Sequence, residues 1–530
     1  GGVVVLVAIA SGLGLLKAGG LATLLIAMLS AVLGWIVWAA VIYVVGAKLL
    51  FPNGLIQHAG VVVGLDGPAG HPFIGQPAAT PGYMQRVMVD QNYSAVTAAC
   101  LMIRRSIYEE VAGLDEDLFK VSYNDVDLCL KVGAQGYLIV WTPHALLLHE
   151  GSVSQTHVDR TAFAAKLKRF RSEQHGMMSK WLPVMANDPA YNRNLSLEDN
   201  GFRIDGRTEL TWRPLKGLPL PTVLAFPAVE SASARRRISH PFDTLKAEGL
   251  LDGVIGAQVP SVVDVERYQP DSLILHRRLD PPRLESMRSL ASFAKRFRVL
   301  DIDGLPSELE MANAVQVAQG LVDRILVATP ALADIFDRNQ TPVQILPSRL
   351  SGDWALPLSK RLANPRPRIG CFVSSELHSD IPLIEALMRE LEVDWVLLGD
   401  GHPRLNGLAQ EVHRNAHFWG NRHLLAGLNL DLALVPLRDT LSNHCRDHGL
   451  LLEYGACGVP VLCSDVDGFR GELPVQRLNN DVGRWRSAIA DHLHDEDTRI
   501  AWGDQLRSAI LTHWVQDAAS LQTLLKAWLP

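Results

Sequence analysis

The sequence lacks the signatures of several common enzyme classes. No GxGxxG turn follows an apolar run and no GxxxxGK[ST] occurs, which argues against a dinucleotide oxidoreductase and a P-loop NTPase. Gly12-Leu13-Gly14 comes nearest, but Lys17 stands where a third glycine is needed. There is no GxSxG elbow, so a Ser-His-Asp hydrolase of that type drops out. Six cysteines in 530 residues form no CxxC pair. Most sit inside apolar runs and read as reduced core thiols of a cytosolic protein rather than zinc ligands or disulfides. A formal charge of -6 gives no electrostatic case for nucleic acid. The run Arg235 to Arg237 reads as a solvated turn. No repeat or low-complexity tract follows residue 47.

Charge is scarcest at the start, where Lys17 is the only charged residue between Gly1 and Ala47. The charge-free run Leu21 to Ala47 is long enough to cross a bilayer and carries Trp35, Trp38 and Tyr43 in its second half. This predicts a membrane helix that anchors the chain at the cytoplasmic face. A second reading is that this apolar text stands in place of the first half of the module that follows.

Length predicts three or four domains, and 48% hydrophobic with 20% charged residues suits large buried cores. From Pro221 apolar strands alternate with amphipathic helices: TVLAF, VIGA, SLILH, VLDID and ILVAT are the strands. Such alternation predicts an α/β fold with parallel sheets and helices on both faces. A proline-rich hinge, Asn364 to Arg368, separates this half from a second one that begins IGCFVSS.

Within that second half, Leu430 to Val435 reads as a strand, Pro436 to Cys445 as a loop, Arg446 to Cys457 as a helix and Val459 to Cys463 as a further apolar run. In an open parallel sheet, ligands sit beyond the carboxyl ends of the strands, where a helix start suits a phosphate. Arg446 and Glu453 are seven apart and would share one helical face. That pairing suits a diphosphate and a ribose; the plain alternative is a surface arginine and a core-edge glutamate.

The segment LLEYGACGVPVLCSD resembles the donor site of retaining, family-four GT-B glycosyltransferases. The resemblance implies that Glu453 contacts the ribose of a nucleotide sugar. The family has another glutamate eight positions earlier, where this chain has Cys445; Asn443, Cys445 and Arg446 resemble a subgroup of bacterial surface-polysaccharide enzymes. The loop Ser375 to Asp380 stands where the family has a glycine-rich turn, with His378 and Asp380 retained. The resemblance therefore assigns Asn443, Arg446, Glu453, Ser375, His378 and Asp380 to the nucleotide sugar.

Residues 46 to 155 resemble the second half of a family-two GT-A glycosyltransferase of the rhamnosyltransferase kind, through QNYSAVTAACLMIRRSIYEEVAGLDE and YNDVDLCLKVGAQGYLIVWTPHALLLHEGSVS. By that resemblance Asp125 is the general base and His149 helps hold a metal. Inverting transfer needs a carboxylate to deprotonate the acceptor and a divalent cation to neutralise the leaving diphosphate. The cation, manganese or magnesium, is expected only for a complete module. Asp125-Val126-Asp127 is not the family's Asp-x-Asp metal motif, since it opens the acceptor-side helix.

The expected layout is an apolar segment (1–47), the second half of a GT-A module (48–155), a connector (156–220), and the acceptor (221–360) and nucleotide-sugar (361–530) domains of a GT-B pair. The expected activity is transfer of a hexosyl or deoxyhexosyl group from a nucleotide sugar to a cell-surface polysaccharide or lipid-linked glycan acceptor. A membrane-tethered, non-catalytic scaffold is the alternative.

Overall fold

The structure, a computed structural model, describes residues 42–150, 160–206, 219–227, 231–305, 311–336, 339–355, 357, 363–374, 378–414 and 422–530. The chain divides into two compact units, Gly1–Thr211 and Trp212–Pro530.

Unit 1 is built on a mixed sheet. Its strands are β1 (Ile42–Leu50), β2 (Ile56–His58), β3 (Gln91–Tyr93), β4 (Leu101–Ile103) and β5 (Leu138–Leu148). The order is β2-β1-β5-β3, with β4 also paired to β1. The stretch expected to end a membrane helix therefore ends as a strand: Ile42 to Ala47 belong to β1, whose β-branched residues suit a pleated surface. Gly46 is required there, because a Cβ would lie 2.5 Å from that of Val96. The rest of the expected span lies outside the described residues. Among the described residues no helix is long and apolar enough to cross a membrane.

Unit 1 also contains the helices α1 (Asn124–Ala134) and α2 (Arg160–Ala186). The region expected to be a connector, 156–220, falls in unit 1 as far as Thr211 and in unit 2 from Trp212. Glu173 of α2, 2% exposed, accepts the N–H groups of Lys120, Val121 and Ser122 at 3.0–3.1 Å. Asp188 accepts from Val63 N at 2.8 Å and from the Ser94 hydroxyl. Side chains bonded to loop backbone hold this stretch, so it shows little hydrophobic period.

Unit 2 contains two parallel sheets, each six-stranded among the described residues. The first comprises β6 (Thr222–Phe226), β7 (Asp252–Ile255), β8 (Ser272–His276), β9 (Phe297–Ile302), β10 (Arg324–Val327) and β11 (Val343–Ile345), in the order β11-β10-β9-β8-β6-β7. The second comprises β12 (Arg368–Val373), β13 (Asp394–Gly399), β14 (Glu411–His413), β15 (Leu432–Val435), β16 (Val461–Ser464) and β17 (Gln476–Leu478), in the order β14-β13-β12-β15-β16-β17. Renumbered within the sheet this is 3-2-1-4-5-6, the doubly wound dinucleotide-fold order. The central strands, such as β8 and β15, are apolar because helices cover both faces, whereas the edge strands β14 and β17 carry polar residues.

The last helix, α8 (Ala518–Trp528), follows α7 (Glu496–His513) and returns to the first half, which holds α3 (Pro281–Phe293). Leu521, Leu525 and Trp528 complete the core formed by Val223, Ile274, Val299 and Leu326. The expected boundary at residue 361 therefore does not assign everything beyond it to the second half. Removing a fully buried tryptophan such as Trp528 costs about 3 to 5 kcal/mol.

Candidate functional site

In the second sheet, strand order reverses between β12 and β15, and the loops after these two strands meet. His378 O accepts Arg438 N at 3.0 Å, and His378 Nδ1 lies 2.9 Å from Arg438 Nη2. Asn443 Nδ2 donates to Arg438 O at 2.9 Å and to His378 O at 3.4 Å. Asn480 Nδ2 donates to Asp380 Oδ2 at 2.8 Å and to Leu437 O at 2.6 Å. Asp380 also caps α4 (Ile381–Glu390) by accepting Leu383 N at 3.2 Å. His378, Asp380 and Asn443 are thus brought together at the switch point. Ser375 lies outside the described residues.

The expected helix from Arg446 is corrected. Thr440 caps a short helix, α5 (Leu441–His444), and α6 runs only from Gly449 to Ala456. Asp447 Oδ1 accepts Gly449 N at 3.2 Å just before α6 begins. Two starts in one stretch divide the helix and leave Arg446 in the turn between them, so it shares no helical face with Glu453. Cys445 is buried, and burial pushes its thiol up to about 11.

Glu453 is on α6 but fully buried, and its carboxylate pairs with Arg236 of the first half. Two of the three arginines expected to be solvated, Arg236 and Arg237, are therefore interior. Arg236 and Arg237 lie in a π-helical turn, Arg235–Ser239, after β6, and such turns often mark functional sites. Arg237 Nη2 reaches Asp301 Oδ2 at 3.0 Å, and its Nη1 donates to Leu346 O at 2.8 Å. Ser348 Oγ donates to Asp447 Oδ2 at 2.6 Å, and Arg236 Nη2 lies 3.8 Å from the same carboxylate oxygen.

Further bonds join the halves, from Thr329 Oγ1 to Cys445 O at 3.0 Å and from Ser442 Oγ to Leu305 O at 3.3 Å. Burial pulls the Arg236 guanidinium down, but Glu453, Asp447 and Asp303 more than reverse this, so it stays charged. Burial would raise Asp303, yet Arg277, His276 and Ser233 hold it well below the usual carboxylate range. No periodic signal exposes Arg236, Arg237 and Asp447. The available clue was three arginines placed directly after the first strand of a doubly wound sheet.

In unit 1, Asp125 stands in the first turn of α1. Its Oδ2 accepts Ala98 N at 2.9 Å. With His71, Tyr123 and Phe170 it lines a cavity of about 170 Å³. Behind it, His71 Nδ1 lies 2.9 Å from His58 Nδ1, and burial lowers both imidazoles. Asp127 is fully buried and takes Lys180 at 2.7 Å and Trp181 Nε1 at 2.8 Å, so it fastens α2 to α1.

His149 follows β5, where its Nδ1 lies 2.7 Å from Gln57 Oε1. Among the described residues no three His, Cys, Asp or Glu side chains gather to hold a metal ion. The described residues of unit 1 therefore do not fit the divalent cation of a complete GT-A module.

No family model matches the chain. It is 52% identical over 158 residues to the uncharacterized protein y4gI of Sinorhizobium fredii, covering 30% of this chain and 17% of that protein. It is 38% identical over 173 residues to the O-antigen biosynthesis protein RfbC of Myxococcus xanthus, covering 30% of this chain and 12% of the other. An N-acetylglucosaminyl-diphospho-decaprenol L-rhamnosyltransferase of Mycobacterium tuberculosis is 34% identical over 83 residues, 15% of this chain and 27% of that one. The chain thus spans less than a third of each of these relatives.

Among solved structures, Anabaena HepE in complex with UDP and glucose aligns with a TM-score of 0.43 at 13% identity, over 58% of this chain and 98% of that one. The avilamycin glycosyltransferase AviGT4 aligns with a TM-score of 0.37 at 11% identity, over 58% and 97%. The doubly wound assignment rests on the strand order itself. The resemblance to bacterial surface-polysaccharide glycosyltransferases is met by relatives named for O-antigen biosynthesis and rhamnosyl transfer.

Proposed function

We propose that the chain is a glycosyltransferase that moves a hexosyl or deoxyhexosyl group from a nucleotide sugar to a cell-surface polysaccharide or lipid-linked glycan. The names of the partial relatives support the reaction class. The observation that carries the donor site is the meeting of the loops after β12 and β15, tied together by Asn443. This is the crevice in which open α/β sheets take nucleotides.

There Arg438, exposed at the rim, faces the diphosphate. Glu453 lies deeper, and ribose hydroxyls reach it only when its pair with Arg236 opens. Within unit 1, taken by itself, Asp125 is the group that in a complete GT-A module is suited to take a proton from an acceptor hydroxyl. Melting of the chain against a panel of nucleotide sugars tests the reading. At least one should raise the transition temperature through preferential binding to the folded state; no shift from any of them contradicts it.

A second reading, a non-catalytic scaffold, is favoured by one observation. The carboxylate expected to hold ribose is fully buried and engaged across the two halves.

A further inference from the structure

We infer that the exposed part of α2 between Phe163 and Arg171 is a docking face for an anionic lipid surface. Phe163, Leu167 and Phe170 are 60%, 39% and 38% exposed. Their spacing of four and then three residues puts them on one side of the helix. Between Phe163 and Ser172 the sequence holds Lys166, Lys168, Arg169 and Arg171 and no carboxylate. At about 100° per residue, Lys166 and Arg171 flank the apolar side, with Lys168 and Arg169 further round.

The next residue, Glu173, is withdrawn from the surface. It ties down the backbone of Lys120 to Ser122. That bonding fixes a second exposed apolar group, Val121, and a further cation, Lys120, beside the helix.

A protein covering the three apolar side chains would also have to supply carboxylates for Lys168 and Arg171, since Glu173 already lies 4.0 Å from Arg169. An anionic leaflet meets both needs together. The apolar side enters the boundary between headgroups and acyl chains, while lysine and arginine stems reach back to the phosphates. Docking of this kind does not depend on the transferase reading. Its consequence for that reading is specific: Phe170 stacks on Tyr123 at 5.8 Å and lines the cavity of Asp125, so a docked chain turns that cavity towards the lipid, where a lipid-linked acceptor would lie.

Co-sedimentation of the full chain with phosphatidylcholine vesicles, with and without phosphatidylglycerol, tests the inference. Two double variants serve as probes, Lys168→Glu with Arg171→Glu and Phe163→Ser with Leu167→Ser. All four positions are exposed, and thermal melting checks that the fold is kept. The expected result is binding that requires phosphatidylglycerol, weakens with salt, and falls about tenfold or more in the charge-reversed variant, with a clear loss in the apolar variant. Equal binding to both vesicle types overturns the inference. So does wild-type binding by both variants, which would place the lipid affinity elsewhere in the chain. Lipid-free self-association that the apolar variant abolishes would assign the face to a second copy and overturn it as well.

Discussion

Arg236, in the turn after the first strand of unit 2, donates to Glu453, 217 residues further on in the helix beside the crevice between β12 and β15. Both side chains are buried, so each is the other's charge compensation. Removing one partner leaves an unpaired interior charge; replacing both by apolar groups removes the pair together and leaves Asp447, 3.8 Å from Arg236, to its bonds with Ser348 and Gly449 N.

Glu453→Ala or Arg236→Ala should therefore destabilise the chain by about 3 to 5 kcal/mol. Arg236→Met combined with Glu453→Leu should recover most of that loss. Urea unfolding of the two singles and the double measures it, and additive losses in the double would show that the residues do not act as a pair.

Much of this architecture was legible in the sequence. The strands TVLAF and SLILH, and the second half's apolar runs, have the length and composition of buried parallel strands, and they form the sheets. The site was harder to read because periodicity reports which face is buried, not which charge is buried with it. Arg236 and Arg237 look like a solvated run until Glu453 and Asp301 are placed opposite them. The split between α5 and α6 was hidden for a related reason: Thr440 and Asp447 start helices through local hydrogen bonds that a hydrophobic pattern does not record. Ile42 to Ala47 misled because an apolar run fits a central strand and a membrane helix equally well.

Acidification should weaken the fold through its buried histidines. Burial lowers the imidazoles of His58, His71, His276 and His448, and that of His492 to about 4. In the unfolded chain histidine titrates at about 6.5. Between that value and the lower folded ones the unfolded state binds more protons, so stability is full above the window and falls as pH drops through it. The urea midpoint should be lower at about pH 5 than at about pH 7.5, and His492→Gln should flatten the slope. A midpoint that rises on acidification would refute this.

Manganese titration should reveal no tight site that His149→Ala removes. One imidazole already engaged with Gln57 leaves nearly the whole metal shell to water. A tight, His149-dependent site would mean that further ligands converge on this histidine.

Asn443→Ala should lower stability by about 1 kcal/mol, the net value of a typical hydrogen bond, by removing the amide that Arg438 O accepts, and it should loosen the crevice loops. Calorimetry with a nucleotide sugar that binds the wild-type chain should show weaker affinity for this variant. Unchanged affinity would mean that the nucleotide does not use these loops.

The most direct test of a nucleotide site at the switch point is Arg438→Ala, because Arg438 is exposed and its loss should leave the melting temperature almost unchanged. A charge-assisted contact to a diphosphate contributes about 1.5 to 3 kcal/mol, so calorimetric affinity for the nucleotide sugar should fall by roughly tenfold or more. Wild-type affinity in Arg438→Ala would contradict the assignment of the crevice between β12 and β15 as the donor site.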